Sequence, residues 1–184
     1  QTGSTGFGYE IAQEFNHTIV PVCPSLVQLK TNTGLEKKWQ GIRSNVIVGI
    51  VDEGKIINEQ SGEMQFTDYG ISGICAFNIS GYISFVLRYQ KSQTISINFI
   101  PWYQENDFKS FMTKRASSFP KYDLITLCET FLNYKLIAAI CHYLHIDSKK
   151  TWYDLSEEEQ VKFASALRDF RLEVIGTKDY LSSQ

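Results

Sequence analysis

The 184-residue chain is short of paired cysteine, of excess charge, of long apolar runs and, over half its length, of glycine. Each shortage removes a class of function. The four cysteines, Cys23, Cys75, Cys128 and Cys141, lie far apart with no C-x-x-C pair, which excludes a structural zinc site built on close ligand pairs. Each falls in an apolar pattern and is expected to be a buried, reduced thiol. Eighteen Lys and Arg against twenty Asp and Glu leave a net charge of −2, so there is no basic footprint for nucleic acid or an anionic membrane. No apolar run approaches the ~18 residues that would span a bilayer, and the first residues lack the charged-then-apolar order of a signal peptide. The default expectation is a soluble, cytoplasmic protein with no nucleic-acid or membrane partner. The dinucleotide fingerprint G-x-G-x-x-G is missing, as is the Lys-Ser/Thr pair of a P-loop.

What glycine there is lies to one side. Eleven of twelve glycines fall between Gly3 and Gly81, and the last is Gly176. Turns need glycine where φ is positive, whereas helix interiors avoid it. The first half is therefore expected to be β-rich and residues 82–175 largely helical, an α+β fold. The expected organisation is a linker loop and short helix over 1–17, a small antiparallel β-barrel with one internal helix over 18–101, a helical subdomain over 102–170, and a return strand and linker over 171–184.

In the β half, Thr18 to Thr31 reads as extended. Ser44 to Asp52 reads as a central strand with Val46, Val48 and Ile50 on one face and Ile47 and Val51 on the other. Asp52-Glu53-Gly54 and Ser61-Gly62 read as hairpin turns framing Lys55–Gln60 and Glu63–Thr67. Thr94 to Ile100 alternates, with Ile95, Ile97 and Phe99 inward and Thr94, Ser96 and Asn98 outward. Ser72 reads as an N-cap ahead of Cys75, Ile79, Ile83 and Val86 at helical spacing. In the helical half, Asp123 and Asn133 read as caps of two amphipathic helices. Ser156-Glu-Glu-Glu159 reads as a capping box before Phe163, Leu167 and Phe170, and Phe108, Phe111 and Met112 mark a further helix near Asn106. Leu172 to Ile175 returns as a strand, and a chain that leaves and re-enters near one place suits an inserted domain.

Two stretches carry candidate chemistry. The loop Thr2-Gly3-Ser4-Thr5-Gly6-Phe7-Gly8 runs into a helix start and reads either as a flexible capping lead-in or as a glycine turn offering N–H groups to an anion. Tyr69-Gly70-Ile71-Ser72-Gly73 reads either as a tight strand-to-helix turn or as a place where backbone approaches a ligand. His142 and His145, spaced i, i+3 with no third ligand, read as surface residues rather than a metal site. No nucleophile, base and orienting residue stand together, so no catalytic residue is assigned and the chain alone is not expected to be an enzyme.

The run TGSTGFGYEIAQEFNHTIVPVCPSLVQL from Thr2 to Leu29, Gly41-Ile42-x-x-Asn45-Val46, and GEMQFTDYGISGI from Gly62 to Ile74 occur in the order and spacing of a family of bacterial flavoproteins. The chain resembles the mid-chain insert of these NAD(P)/FAD-dependent oxidoreductases, aminoacetone-oxidase or BaiN-like. The resemblance implies a parent that transfers hydride equivalents with FAD, with NAD(P)H as a candidate reductant, and a flavin-binding domain of the same chain as partner. It implies that Thr2, Gly3, Ser4, Thr5, Gly6 and Gly8 line the flavin side in the intact parent. Tyr69, Gly70, Ser72 and Gly73 would then face a small-molecule substrate. The fragment itself is expected to hold no cofactor. The family often has His where this chain has Asp68, so no proton-transfer role carries over. The rival expectation is a free-standing β-barrel module that binds a protein or nucleotide partner.

Overall fold

The computed structural model describes residues 5–104 and 107–179. In chain order the elements are α1 (Phe7–Glu14), β1 (Leu29–Thr31), α2 (Glu36–Trp39), β2 (Arg43–Asp52), β3 (Lys55–Phe66), β4 (Gly70–Ser72), α3 (Ile74–Val86), β5 (Gln93–Asn98), α4 (Asp107–Ser118), α5 (Leu124–Cys128), α6 (Tyr134–Tyr143), a 3-10 turn (Trp152–Asp154), α7 (Glu157–Arg168) and β6 (Phe170–Thr177). The six strands close into an antiparallel barrel in the order β1-β4-β3-β2-β5-β6, and β6 returns to pair with β1. Closure leaves no free sheet edge among these strands, the physical reason that short strands can persist here. The fold is α+β, a small barrel joined to helices, as the glycine distribution implies.

Alternation decides which residues fill the barrel. Val46, Val48 and Ile50 of β2, Ile95 and Ile97 of β5, and Leu172 and Val174 of β6 are buried. One end is plugged by aromatic rings: Trp39 lies 4.7 Å from Phe66, Phe66 6.0 Å from Phe99, and Phe99 6.0 Å from Phe170. Phe170 opens β6 rather than continuing α7, and its ring also meets Tyr143 of α6 at 5.0 Å. The same core runs on without a break into Phe108, Leu127, Ile140, Trp152, Phe163 and Leu167 of the helical half. Barrel and helices therefore share one interior.

Several helix starts are where the polar residues put them. Asp123 accepts from Thr126 N at 2.8 Å and Asn133 from Lys135 N at 2.9 Å. Ser156 and Glu159 form the reciprocal capping box, at 3.1 and 2.8 Å. At the β2–β3 hairpin, Glu53 (φ 45) and Gly54 (φ 79) both take the positive φ that a two-residue turn requires.

Three expectations are corrected. Ser61-Gly62 is not a turn: β3 runs unbroken through it, and Gly62 (φ 154) pairs with Val46. A Cβ at Gly62 would lie 3.8 Å from Cys75 N and Cβ, so glycine there marks the close approach of α3 rather than a reversal. Thr18 to Thr31 supplies only the strand Leu29–Thr31; the preceding residues cross α3, where Val27 N donates to Ser80 Oγ at 3.2 Å. The cap of α3 is Gly73, not Ser72, and it makes no side-chain capping bond. Asn106 lies outside the described residues.

Candidate functional site

The turn Tyr69–Gly73 enters the barrel wall. Gly70, Ile71 and Ser72 form β4, wedged between β1 and β3, and all three are buried. Gly70 has φ 150 and Gly73 φ 100. A Cβ at Gly70 would stand 2.2 Å from Leu29 O, and one at Gly73 would stand 2.4 Å from Glu63 O. The missing side chains thus let the chain's own strands come together. Tyr69 is half-buried; its carbonyl accepts from Thr31 N at 3.0 Å and the Lys178 ammonium sits 4.2 Å above its ring. That contact ties the turn to the end of β6. There the chain's entry to the barrel and its exit lie side by side: Leu29 pairs with Thr177, and Lys178 N donates to Gln28 O at 2.9 Å.

At the other nominated stretch, Thr2, Gly3 and Ser4 lie outside the described residues. Thr5 is exposed, and Gly6 (φ 87) precedes α1 with no side-chain cap; its carbonyl accepts from Tyr9 N at 2.8 Å. A Cβ at Gly8 would meet nothing within 4 Å. The helix that follows buries no residue, and Phe7, Tyr9 and Ile11 stand exposed on it. A pyrophosphate site of the dinucleotide type needs a parallel strand–turn–helix unit, whereas every strand pair described is antiparallel. Thr5, Gly6 and Gly8 therefore do not form a dinucleotide-type pyrophosphate site by themselves among the described residues.

The remaining candidates behave as ordinary structure. His142 is exposed on α6 and His145 (φ 57) takes the left-handed position just past that helix. Among the described residues no three His, Cys, Asp or Glu stand together as a metal site. Burial pushes the Cys75 thiol up to about 11 and the Cys141 thiol up to about 12, and raises Cys128 further still, so all three stay protonated at neutral pH. Cys23 departs from expectation: it is only half-buried, near Arg88, because its segment lies over α3 rather than in the core.

The sequence did not announce one feature, a cavity of about 560 Å³ on the outside of the barrel. Its floor is Ile47 and Gly49 of β2 with Ser96 and Asn98 of β5, and its roof is α7 with Lys109 of α4. Ser96 Oγ donates to Asp169 Oδ1 at 2.6 Å, and Arg171 clamps the same carboxylate at 2.8–2.9 Å. Burial alone would raise the Asp169 carboxyl, but the bonds from Arg171 and Ser96 outweigh it and hold it below the usual carboxylate range. Arg168 also lines the cavity, and its Nε and Nη1 are buried with no hydrogen-bond partner. Alternation in β5 marked Ser96 as outward; nothing in the spacing linked it to residues more than seventy positions later.

Residues 23–184 match the family model described as HI0933-like protein barrel and H2TH domain. The chain is similar to a Clostridium scindens protein named 3-dehydro-bile acid delta(4,6)-reductase, 33% identical over 148 residues, 78% of this chain and 35% of that protein. It is also similar to an Escherichia coli protein named ribosomal RNA dihydrouridine synthase, 23% identical over 184 residues, 99% of this chain and 43% of that protein. The chain thus spans under half the length of either relative. Among the described residues no helix is long and apolar enough to cross a membrane.

Proposed function

The chain belongs to the family of HI0933-like barrel and H2TH domains, and from that premise we propose that it is the insert of an FAD-dependent oxidoreductase. In this reading it walls the substrate side of the flavin cleft and carries no catalytic residue of its own. The observation that carries the proposal is the pairing of Leu29 with Thr177, which sets entry and exit of the barrel side by side, as insertion into an unbroken host domain requires. Exposed apolar residues outside the core support it. Phe7, the first residue of α1, and Phe15, just past its end, keep 63% and 73% of their surface exposed, and Ile74 at the start of α3 keeps 64%. An amphipathic helix with no buried residue suits a partner surface, and the flavin-binding domain of the same parent chain is the partner proposed.

The relatives' names speak of a reductase and of the synthesis of dihydrouridine, a reduced uridine. The reaction class proposed for the whole protein is hydride delivery to a double bond of a small organic substrate, with FAD as carrier and NAD(P)H as reductant. The net charge of −2 gives no ground for extending the second name's RNA to this chain. Thr5, Gly6 and Gly8, with Thr2, Gly3 and Ser4 ahead of them, would approach the flavin side. Tyr69 and the backbone of Gly70, Ser72 and Gly73 would approach the substrate side.

The test is a transplant. The chain alone should remain colourless through an FAD titration followed by calorimetry. Exchanged for the matching segment of the Clostridium scindens relative, it should leave stoichiometric flavin in place and preserve NAD(P)H-dependent turnover at reduced rate. Tight one-to-one FAD binding by the isolated chain would overturn the insert reading.

A further inference from the structure

We infer that the groove between the β2–β5 wall and α7 is a binding site for a small amphipathic anion, an apolar body carrying one carboxylate or phosphate group, with Arg168 as the charge that receives it. The site is built from groups drawn from five elements, β2, β3, β5, α4 and α7, and it lies across the barrel from β4, since β5 stands opposite β4 in the closed strand order.

The first argument is the state of Arg168. Its Nε and Nη1 are out of contact with solvent and reach no acceptor in the protein, and it takes part in no ion pair among the described residues. Guanidinium nitrogens held out of water without an acceptor are costly, and here two of the three are so held while the residue as a whole is half-buried. The fold has met that cost in advance for these two nitrogens, so an anion that reaches them gains the pairing with little further desolvation of the arginine. Gln28 Oε1, Trp39 Nε1 and Ser84 Oγ are also buried without partners, but none of these residues lines the cavity.

The second argument is shape and the company around the charge. At about 560 Å³ the cavity lies within the roughly 300–1,000 Å³ of small-molecule sites. Gly49 has no side chain to fill the floor, and Ile56 leans over it, 2.7 Å from where a Cβ would stand. Val161 and Ala164 supply apolar surface from α7. The acidic neighbour Asp169 is already held by Arg171, so its charge is compensated. Lys109 pairs with Glu157 at 3.0 Å, but Glu157 is 87% exposed, and such a pair is weak enough to release the lysine. Glu59 at the rim is exposed, where water and salt screen it.

The experiment uses octanoate as probe on the 184-residue chain, with octanol and inorganic phosphate as comparators, read by calorimetry and by amide shift mapping. Octanoate should saturate at one site and move the amides of Gly49, Ser96, Ser165 and Arg168. Octanol, lacking the charge, and phosphate, lacking the apolar body, should each bind roughly tenfold or more weakly. Arg168→Gln should weaken octanoate by roughly ten- to hundredfold and leave octanol unchanged. Ser165→Leu, an exposed helix position that tolerates leucine, should fill the groove and weaken both octanoate and octanol; it carries the test if Arg168→Gln does not fold. Equal affinity for octanoate and octanol would overturn the inference. So would failure to saturate in the millimolar range, shifts that map to α1 and α3, or phosphate binding as tightly as octanoate.

Discussion

Two walls of the same barrel use glycine to opposite ends. On the β4 wall, Gly70 and Gly73 let backbone meet backbone: a side chain at either would run into a carbonyl oxygen at 2.2 or 2.4 Å, and both hold positive φ. On the β2 wall, Gly49 has no positive φ, and the nearest obstacle to a Cβ is the side chain of Ile56, which is 44% exposed and has room to turn. One wall is closed by its glycines, while the other is left open by its glycine, and the cavity lies there. The difference arises from what sits across each residue, not from the residue itself. A glycine in a strand marks a close approach or an empty space, and only the partner distinguishes them.

The sharpest way to break the comparison is to add one carbon to each wall. Gly70→Ala and Gly73→Ala should each cost on the order of 3 kcal/mol or more, from a left-handed φ combined with a collision against strand backbone. Thermal unfolding of the isolated chain measures this. A melting temperature close to the original in either variant would mean that the β4 wall is not closed by backbone contact, and the proposed substrate-side role of that glycine would gain. If both collapse, the substrate reading of the turn must rest on Tyr69 and the backbone alone.

Gly49→Ala is the counterpart and should cost about 1 kcal/mol or less, because a rotation of Ile56 absorbs the added methyl. Its main effect should fall on octanoate affinity, which should drop as the floor of the groove rises. A large loss of stability would show that Ile56 cannot turn, and that the two walls are alike after all.

How far the sequence revealed this molecule follows from the range over which each signal acts. Caps at Asp123, Asn133 and Ser156 act over two or three residues and were legible, as was the in–out alternation of β5. Ser61-Gly62 was misread because its glycine answers to α3 packed across it, a tertiary cause with no local signature. Gly73 likewise took the cap position from Ser72 because the backbone there must pass within touching distance of β3. The nominated turn was legible as a turn, but not as a barrel strand between β1 and β3. The groove was not legible at all: Gly49, Ser96 and Arg168 meet only because β2, β5 and the end of α7 converge in space.

The smallest effect expected is electrical and tests why the open wall tolerates a carboxylate. Asp169 is 44% exposed and paired with Arg171. Because hydrogen bonds from Arg171 and Ser96 outweigh burial and hold its carboxyl low, the pair contributes stability above the carboxyl's unfolded pKa and loses it as pH falls through the depressed folded value. Asp169→Asn should therefore cost about 1 kcal/mol or less at neutral pH. The gap from the original chain should narrow in acid and not in mild base, as unfolding curves across pH would show. The same variant should tighten octanoate binding modestly, since it leaves the Arg171 charge without its partner near the groove. Arg171→Gln should act differently: it leaves Asp169 uncompensated beside the groove, so octanoate should bind more weakly at neutral pH, and added salt should narrow that difference. Identical octanoate affinity in Arg171→Gln and the original chain, at pH 7 and low salt, would show that the groove does not sense charge at this end. Arg168 alone would then set its preference.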